Sequence, residues 1–246
     1  MIDTIALMID SHDFKIRDYD KFAPSARGLF EPPYYTLGAR GSFSCYQNPT
    51  KKELKNGIYK PRLTTTKRIR KGGFPVVLKI ELSLPKLLYK NNFDELEEKD
   101  FETIITRLSE ILFNQMGVAI PESNLRNAPV SVVHYSKNIP LTNYTTPSMI
   151  LHEIEKINLS SRLDLSKTKF QNSGHALYHH TNDFELVFYD KIKDLEQAKK
   201  ISGKRSMEND QWKMIMRFKQ IFLMYWKKDV ILKFYAWKQG FVVAEK

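Results

Sequence analysis

A single cysteine, Cys45, stands among 246 residues. One thiol rules out an internal disulfide frame and a cysteine-built metal cluster. No apolar run approaches the roughly 18 residues of a membrane-spanning helix. The opening stretch, Met1–Asp10, has no basic region and is too short for a secretory leader. It reads as a first strand. No Gly-x-x-x-x-Gly-Lys-Ser/Thr pattern occurs, which argues against an ATP-driven motor. No Gly-x-Ser-x-Gly occurs either, which removes the nucleophile elbow of acyl hydrolases. These absences point to a cytoplasmic protein with neither a membrane partner nor a small-molecule substrate.

What is abundant is positive charge. The chain holds 39 Lys and Arg against 28 Asp and Glu, a formal net charge of +11. Such a balance suits a polyanionic partner, nucleic acid first and a membrane surface second. The excess is unevenly spread. Residues 211–246 carry eight basic and two acidic side chains, so this tail holds more than half of it.

The tail is unusual in other ways. All three tryptophans lie there, Trp212, Trp226 and Trp237, and each is followed by lysine. Its apolar residues follow no clean helical or strand period. A Trp-Lys pair is encoded TGG-AAR, which in the frame starting two bases into each codon becomes NTG-GAA. That is Met, Leu or Val followed by Glu. In the same frame Lys233–Phe241 is compatible with Ile-Leu-Arg-Met-Glu-Ala-Arg-Leu, a sensible alternating strand. The expectation is an initial domain over 1–210 and a tail over 211–246 translated out of frame. The alternative is a genuine amphipathic tail that binds membrane or nucleic acid.

Within 1–210 the coarse pattern alternates strands and helices. Tyr34–Tyr46 reads as a strand broken by Gly38 and Gly41, and Asn48–Gly57 as polar turns. Tyr59–Arg70 and Phe74–Leu84 read as a hairpin around Gly72-Gly73, with Val77, Lys79, Glu81 and Ser83 on one face. Phe93–Phe113 is the clearest helix, with an acidic start and Phe101, Ile104, Ile105, Leu108, Ile111 and Leu112 as its apolar stripe. Val130–Tyr135 reads as a strand and Ser148–Ile157 as a short helix. Ala176–His180 and Phe184–Tyr189 read as a hairpin, followed by a helix over Asp190–Lys200. This order predicts an α+β sandwich, an antiparallel-rich sheet with helices on one face.

Four places could carry chemistry. The basic stretch Lys60, Arg62, Lys67, Arg68 and Arg70 could contact phosphates, with Tyr59 available for stacking; equally, it could be a solvated edge that resists aggregation. The run His175-Ala-Leu-Tyr-His179-His180 could bind a metal or simply form a polar strand face. His134 could be a ligand or a hydrogen-bonded core histidine. Tyr189, at a strand end two residues before Lys191, could be a nucleophile or ordinary packing. A tyrosine has a pKa near 10 and needs a base, a metal or a nearby cation to attack a phosphodiester at neutral pH.

Leu78–Phe93, with its strand-Pro-Lys-Leu-Leu-x-x-Asn-Asn run, and Phe188-Tyr189-Asp190-Lys191 together resemble the gene II/gene X replication initiators of filamentous phages and their plasmid relatives. Met1-Ile2-Asp3-Thr4 also fits. The resemblance implies an HUH-like rolling-circle nicking domain that cuts one DNA strand at an origin. Tyr189 would be the nucleophile and Lys191 its neighbouring cation, leaving a 5′-phosphotyrosyl intermediate. It implies a divalent metal, Mg or Mn, with His134 and Glu81 as candidate ligands. Origin DNA is the implied partner, with a host replication helicase. The family strand Leu-Arg-x-Glu-x-Arg-Leu is present only in the alternative frame. That implies an initiator crippled by truncation; the alternative is a non-catalytic DNA-binding replication-control module of the same fold.

Overall fold

A computed structural model describes residues 2–29, 41–69, 73–92, 94–141, 145–156, 169–171, 174–180, 184–193 and 221–233. In chain order the elements are β1 (Ile2–Asp10), β2 (Lys15–Ile16), β3 (Gly41–Gln47), α1 (Lys51–Lys55), β4 (Arg62–Ile69) and β5 (Val76–Ser83). Then come α2 (Leu84–Tyr89), α3 (Asp100–Glu110), β6 (Val118–Ala119), α4 (Glu122–Asn127), β7 (Pro129–Pro140) and α5 (Pro147–Glu155). The last strands are β8 (Lys169–Gln171), β9 (Ala176–His180), β10 (Phe184–Asp190) and β11 (Ile221–Lys233). The architecture is α+β, with a five-strand antiparallel sheet and a few helices.

The chain divides into two compact units. One comprises Thr4–Thr50, Tyr59–Val132 and Val230–Lys246; the other Met1–Asp3, Lys51–Ile58 and Val133–Asp229. In the first, the strands run in the order β3-β4-β5-β1, followed by the opening residues of β7 up to Val132. The expected hairpin is there: Thr64 pairs with Lys79 and Arg62 with Glu81, antiparallel. β1 takes the other side of β5, with Leu7 opposite Ile80. Ser131 at the start of β7 donates from Oγ to the Ala6 carbonyl, 3.2 Å away.

The period of two along these strands separates a core face from an open face. Ile5, Leu7 and Ile9 of β1, Leu78, Ile80 and Leu82 of β5, and Leu63 of β4 are all buried. Each such aliphatic side chain contributes about 1.5–3 kcal/mol through removal from water. Arg62 and Arg68, at the alternate positions of β4, are exposed. β5 runs straight into α2, where Pro85 occupies the first turn and needs no backbone donor. α2 touches both β5 and α3.

α3 buries Phe101, Ile104, Ile105 and Leu108, the stripe that the spacing predicts. It begins later than expected. The acidic residues before it form a turn in which the Asp94 amide bonds the Asn91 side chain at 3.1 Å and the Glu97 amide bonds Asp100 at 2.8 Å. The helix passes into one wider π-type turn, Ile111–Gln115, and stops at Gly117, whose φ is +69°. Gly117 sits against Asp18, and its carbonyl accepts from the Arg17 amide at 2.7 Å. β2 and β6 form a small second sheet beside this turn.

In the other unit β9 and β10 make the expected hairpin, with Phe188 opposite Leu177. β8 lies outside β9, and β11 pairs with β10 on its other side, Tyr189 opposite Leu223. β11 thus sets part of the Trp/Lys tail beside β10, whereas 211–220 and 234–246 lie outside the described residues. α5 begins at Thr146, whose hydroxyl accepts from the Met149 amide at 3.2 Å. That cap contributes about 1 kcal/mol. Leu151 of α5 packs on Leu177, with Ile150, Ile154 and Phe188 around them.

Candidate functional site

Tyr189 sits at the penultimate position of β10. Strand alternation puts it on the opposite face from Phe188, which packs towards α5. The strand is stopped by Asp190. Its Oδ1 accepts from the amides of Ile192 and Lys193, each at 3.0 Å. A short aspartate side chain is well suited to holding such orphan donors. The Asp190 amide in turn bonds the His175 carbonyl at 2.9 Å, fixing the strand end to the residue before β9. The capped turn directs Lys191 back on Tyr189. The Lys191 Nζ donates to the Tyr189 Oη across 3.3 Å and stands 5.4 Å from the ring centroid. Lys191 is fully buried, while Tyr189 is half-buried. Desolvation strengthens the pull of an ammonium on a developing phenolate. The expected helix after Asp190 is described only as far as Lys193.

The candidate metal ligands are placed as follows. His134 is half-buried in the middle of β7, beside Tyr135, whose phenol is pushed up by burial. Glu81 belongs to β5. Its carboxylate lies 3.2 Å from the Lys79 ammonium and 3.9 Å from Arg62. Among the described residues no three His, Cys, Asp or Glu side chains gather as a metal would require. The Glu81 oxygens face two cations. In the histidine run, His179 is buried and meets the Phe188 ring edge-on, with centroids 6.1 Å apart.

The basic stretch is split by strand alternation. Arg62 and Arg68 emerge on the open face of the sheet. Lys67 falls on the core face, 3 % exposed, with its Nζ 3.4 Å from the Gly28 carbonyl and 4.6 Å from the Phe74 ring centroid. Lys60 is half-buried in the segment before β4, and Arg70 lies outside the described residues. Tyr59 accepts a hydrogen bond from the Ser83 amide, so its hydroxyl fastens the end of β5.

Two features escaped sequence reasoning. Tyr46 of β3 is 46 % exposed, and strand pairing places it across from Thr64. The sequence pattern shows it only as the end of a strand, although its period-two relation to Ser44 and Ser42 marks the face it shares. Tyr89 and the buried Asp100 form the second feature. The Tyr89 hydroxyl donates to Asp100 Oδ2 at 2.5 Å, and burial, then that carboxylate, push the phenol well above its ordinary range. Eleven residues separate the two, and no local periodicity signals the contact. No protein-family model, curated protein or solved structure matches this chain.

Proposed function

We propose that this chain is a DNA strand-nicking initiator of the rolling-circle type, with Tyr189 as nucleophile. The supporting observation is the Lys191 ammonium 3.3 Å from the Tyr189 hydroxyl, at a strand end capped by Asp190. In this reading the Tyr189 Oη attacks the phosphorus of a phosphodiester. The bond from phosphorus to the 3′ oxygen breaks, and that oxygen leaves with its electron pair. The phenolic proton is lost, and a proton is gained by the leaving 3′ oxygen. The products are a 5′-phosphotyrosine and a free 3′-hydroxyl. Lys191 favours the phenolate form by donating to it, and the same charge is available to the phosphate. The stored phosphotyrosyl bond permits rejoining without ATP. No step is assigned to a metal, because the described donors do not assemble one.

The net charge of +11 supports a DNA partner, and an origin is the target that the initiator reading implies. No helix among the described residues is long and apolar enough to cross a membrane. The test is incubation with single-stranded origin DNA, with denaturing electrophoresis for a covalent protein–DNA adduct. The parent chain should form it and Tyr189→Phe should not. Equal cleavage by the Tyr189→Phe variant would remove the assignment.

A second reading is a DNA-binding control module that does not cut. The engagement of Glu81 by Lys79 and Arg62 favours it, since this carboxylate is then a scaffold for two cations rather than a ligand. It predicts salt-sensitive binding and no adduct. The out-of-frame origin of the tail is a separate proposal. The coding DNA across 205–246 decides it, and a stop codon early in the alternative frame would end it.

A further inference from the structure

We propose that the open face of β3, β4 and β5 is a platform for single-stranded nucleic acid, with Tyr46 as a base-stacking side chain and Arg68 as a phosphate contact. This rests on the reading of the chain as one that acts on DNA, and it names the strand form and the surface that receives it.

The residues follow from the strand registers. Ser42 pairs with Arg68, Ser44 with Thr66, and Tyr46 with Thr64, which itself pairs with Lys79. These positions share one parity, so they lie in successive rows on one face. The Ser44 and Thr66 hydroxyls are 3.0 Å apart, and they hold the middle row together. Rows along a strand are about 6.8 Å apart, roughly twice the rise per stacked nucleotide. The surface therefore offers hydroxyls and cations at a spacing that a polynucleotide backbone can follow.

Its charge selects a polyanion. Arg62, Arg68 and Lys79 supply three cations, and Glu81 shares only the first and last. Among the described residues no carboxylate meets the Arg68 side chain, and Arg68 is exposed. Serine, threonine and arginine are phosphate-binding side chains. An exposed ring on a flat sheet face stacks with an unpaired base, whereas a duplex keeps its base faces covered. The Tyr46 backbone is fixed for this: its amide and carbonyl both bond Ala23, at 3.0 and 2.8 Å. Lys67 takes no part, being committed to the core side.

The test is fluorescence anisotropy of the full chain with a labelled oligothymidine strand, alongside a mixed-sequence duplex. Tyr46→Ala should weaken oligothymidine binding about tenfold and leave duplex binding nearly unchanged, while Tyr46→Phe should stay within about twofold of the parent. Arg68→Ala should weaken both and lower the salt slope for the single strand by about 0.7. Lys99→Ala, on another exposed element, should change neither. Photocrosslinking of a bromodeoxyuridine-substituted strand to the unaltered chain gives a readout that does not depend on variants. Crosslinks on Tyr46 or its row neighbours support the platform. Crosslinks confined to other segments, parent-like binding by both alanine variants, or no oligothymidine binding at all would overturn it. Oligothymidine binding without an origin adduct would keep the platform and remove the nicking proposal. An adduct formed normally by both alanine variants would do the reverse.

Discussion

The ammonium of Lys191 and the hydroxyl of Tyr189 face each other across 3.3 Å, one just past the end of β10 and the other inside it. Asp190, between them, makes this possible by capping the turn rather than continuing the strand. Replacing Lys191 with methionine keeps the stem and removes the charge. Adduct formation by this variant should then fall about a hundredfold below the parent, the usual cost of losing one preorganised electrostatic contact. Stability should fall somewhat, because the substitution removes one member of a buried contact and leaves the other behind. Paired melting curves and adduct yields measure both. A methionine variant that forms adduct at the parent rate would show that Lys191 is structural.

A second prediction concerns Asp100. It is 8 % exposed and receives both the Tyr89 hydroxyl and the Glu97 amide. Asp100→Ala strands both donors and should cost about 2–3 kcal/mol in urea unfolding. The same contact sets an alkaline limit. The Tyr89 phenol titrates higher in the folded chain than in the unfolded one. Its contribution is therefore fully present below about pH 10 and is lost as the pH climbs towards the raised folded value. Tyr89→Phe should flatten that loss, which urea midpoints taken from about pH 8 to about pH 11 would reveal.

Gly117 and Gly41 should respond in opposite ways to alanine. Gly117 has a φ of +69°, and a Cβ there would come 2.7 Å from the Asp18 Cβ. Backbone strain and the clash together should cost about 1–3 kcal/mol. Gly41 has nothing within 4 Å of an added Cβ, so Gly41→Ala should be close to neutral. Equal unfolding midpoints for the two variants would contradict this.

Cys45 should be nearly inert while the chain is folded. It is fully buried opposite Thr65, and burial pushes its thiol up to about 11. The thiolate is the reactive form, so a disulfide reagent at neutral pH should label it only on the timescale of unfolding. Rapid labelling of native protein would mean that the β3–β4 core opens locally.

The two hairpins were legible because their residues obey a strict period of two and flank short polar turns. The stripe of α3 was legible for the same kind of reason, through its spacing of three and four. The start of that helix was not. Asp94, Glu95 and Glu97 look like a helix N-terminus, yet the Asn91 side chain draws its neighbours into a turn instead. α1 was hidden because Lys51–Lys55 has no apolar stripe at all. Lys67 could have been placed correctly, since it shares parity with Leu63 and Thr65, but its charge argued for solvent. At the candidate site, the nearness of Tyr189 and Lys191 was readable from their spacing in sequence. Glu81 was readable only in part: Lys79 shares its strand face two residues away, but Arg62 meets it only once β4 and β5 pair. The open sheet face needed strand pairing in the same way.

Tyr59 precedes β4, and its hydroxyl holds the Ser83 amide where β5 gives way to α2. The segment from Tyr59 to Ser83 is thereby latched at its open end, with the Arg62–Glu81 and Leu63–Ile80 pairs just inside. A hairpin so fastened resists fraying from its termini. Amide hydrogens along β4 and β5 would then exchange with solvent in one concerted opening, making this hairpin a single foldon.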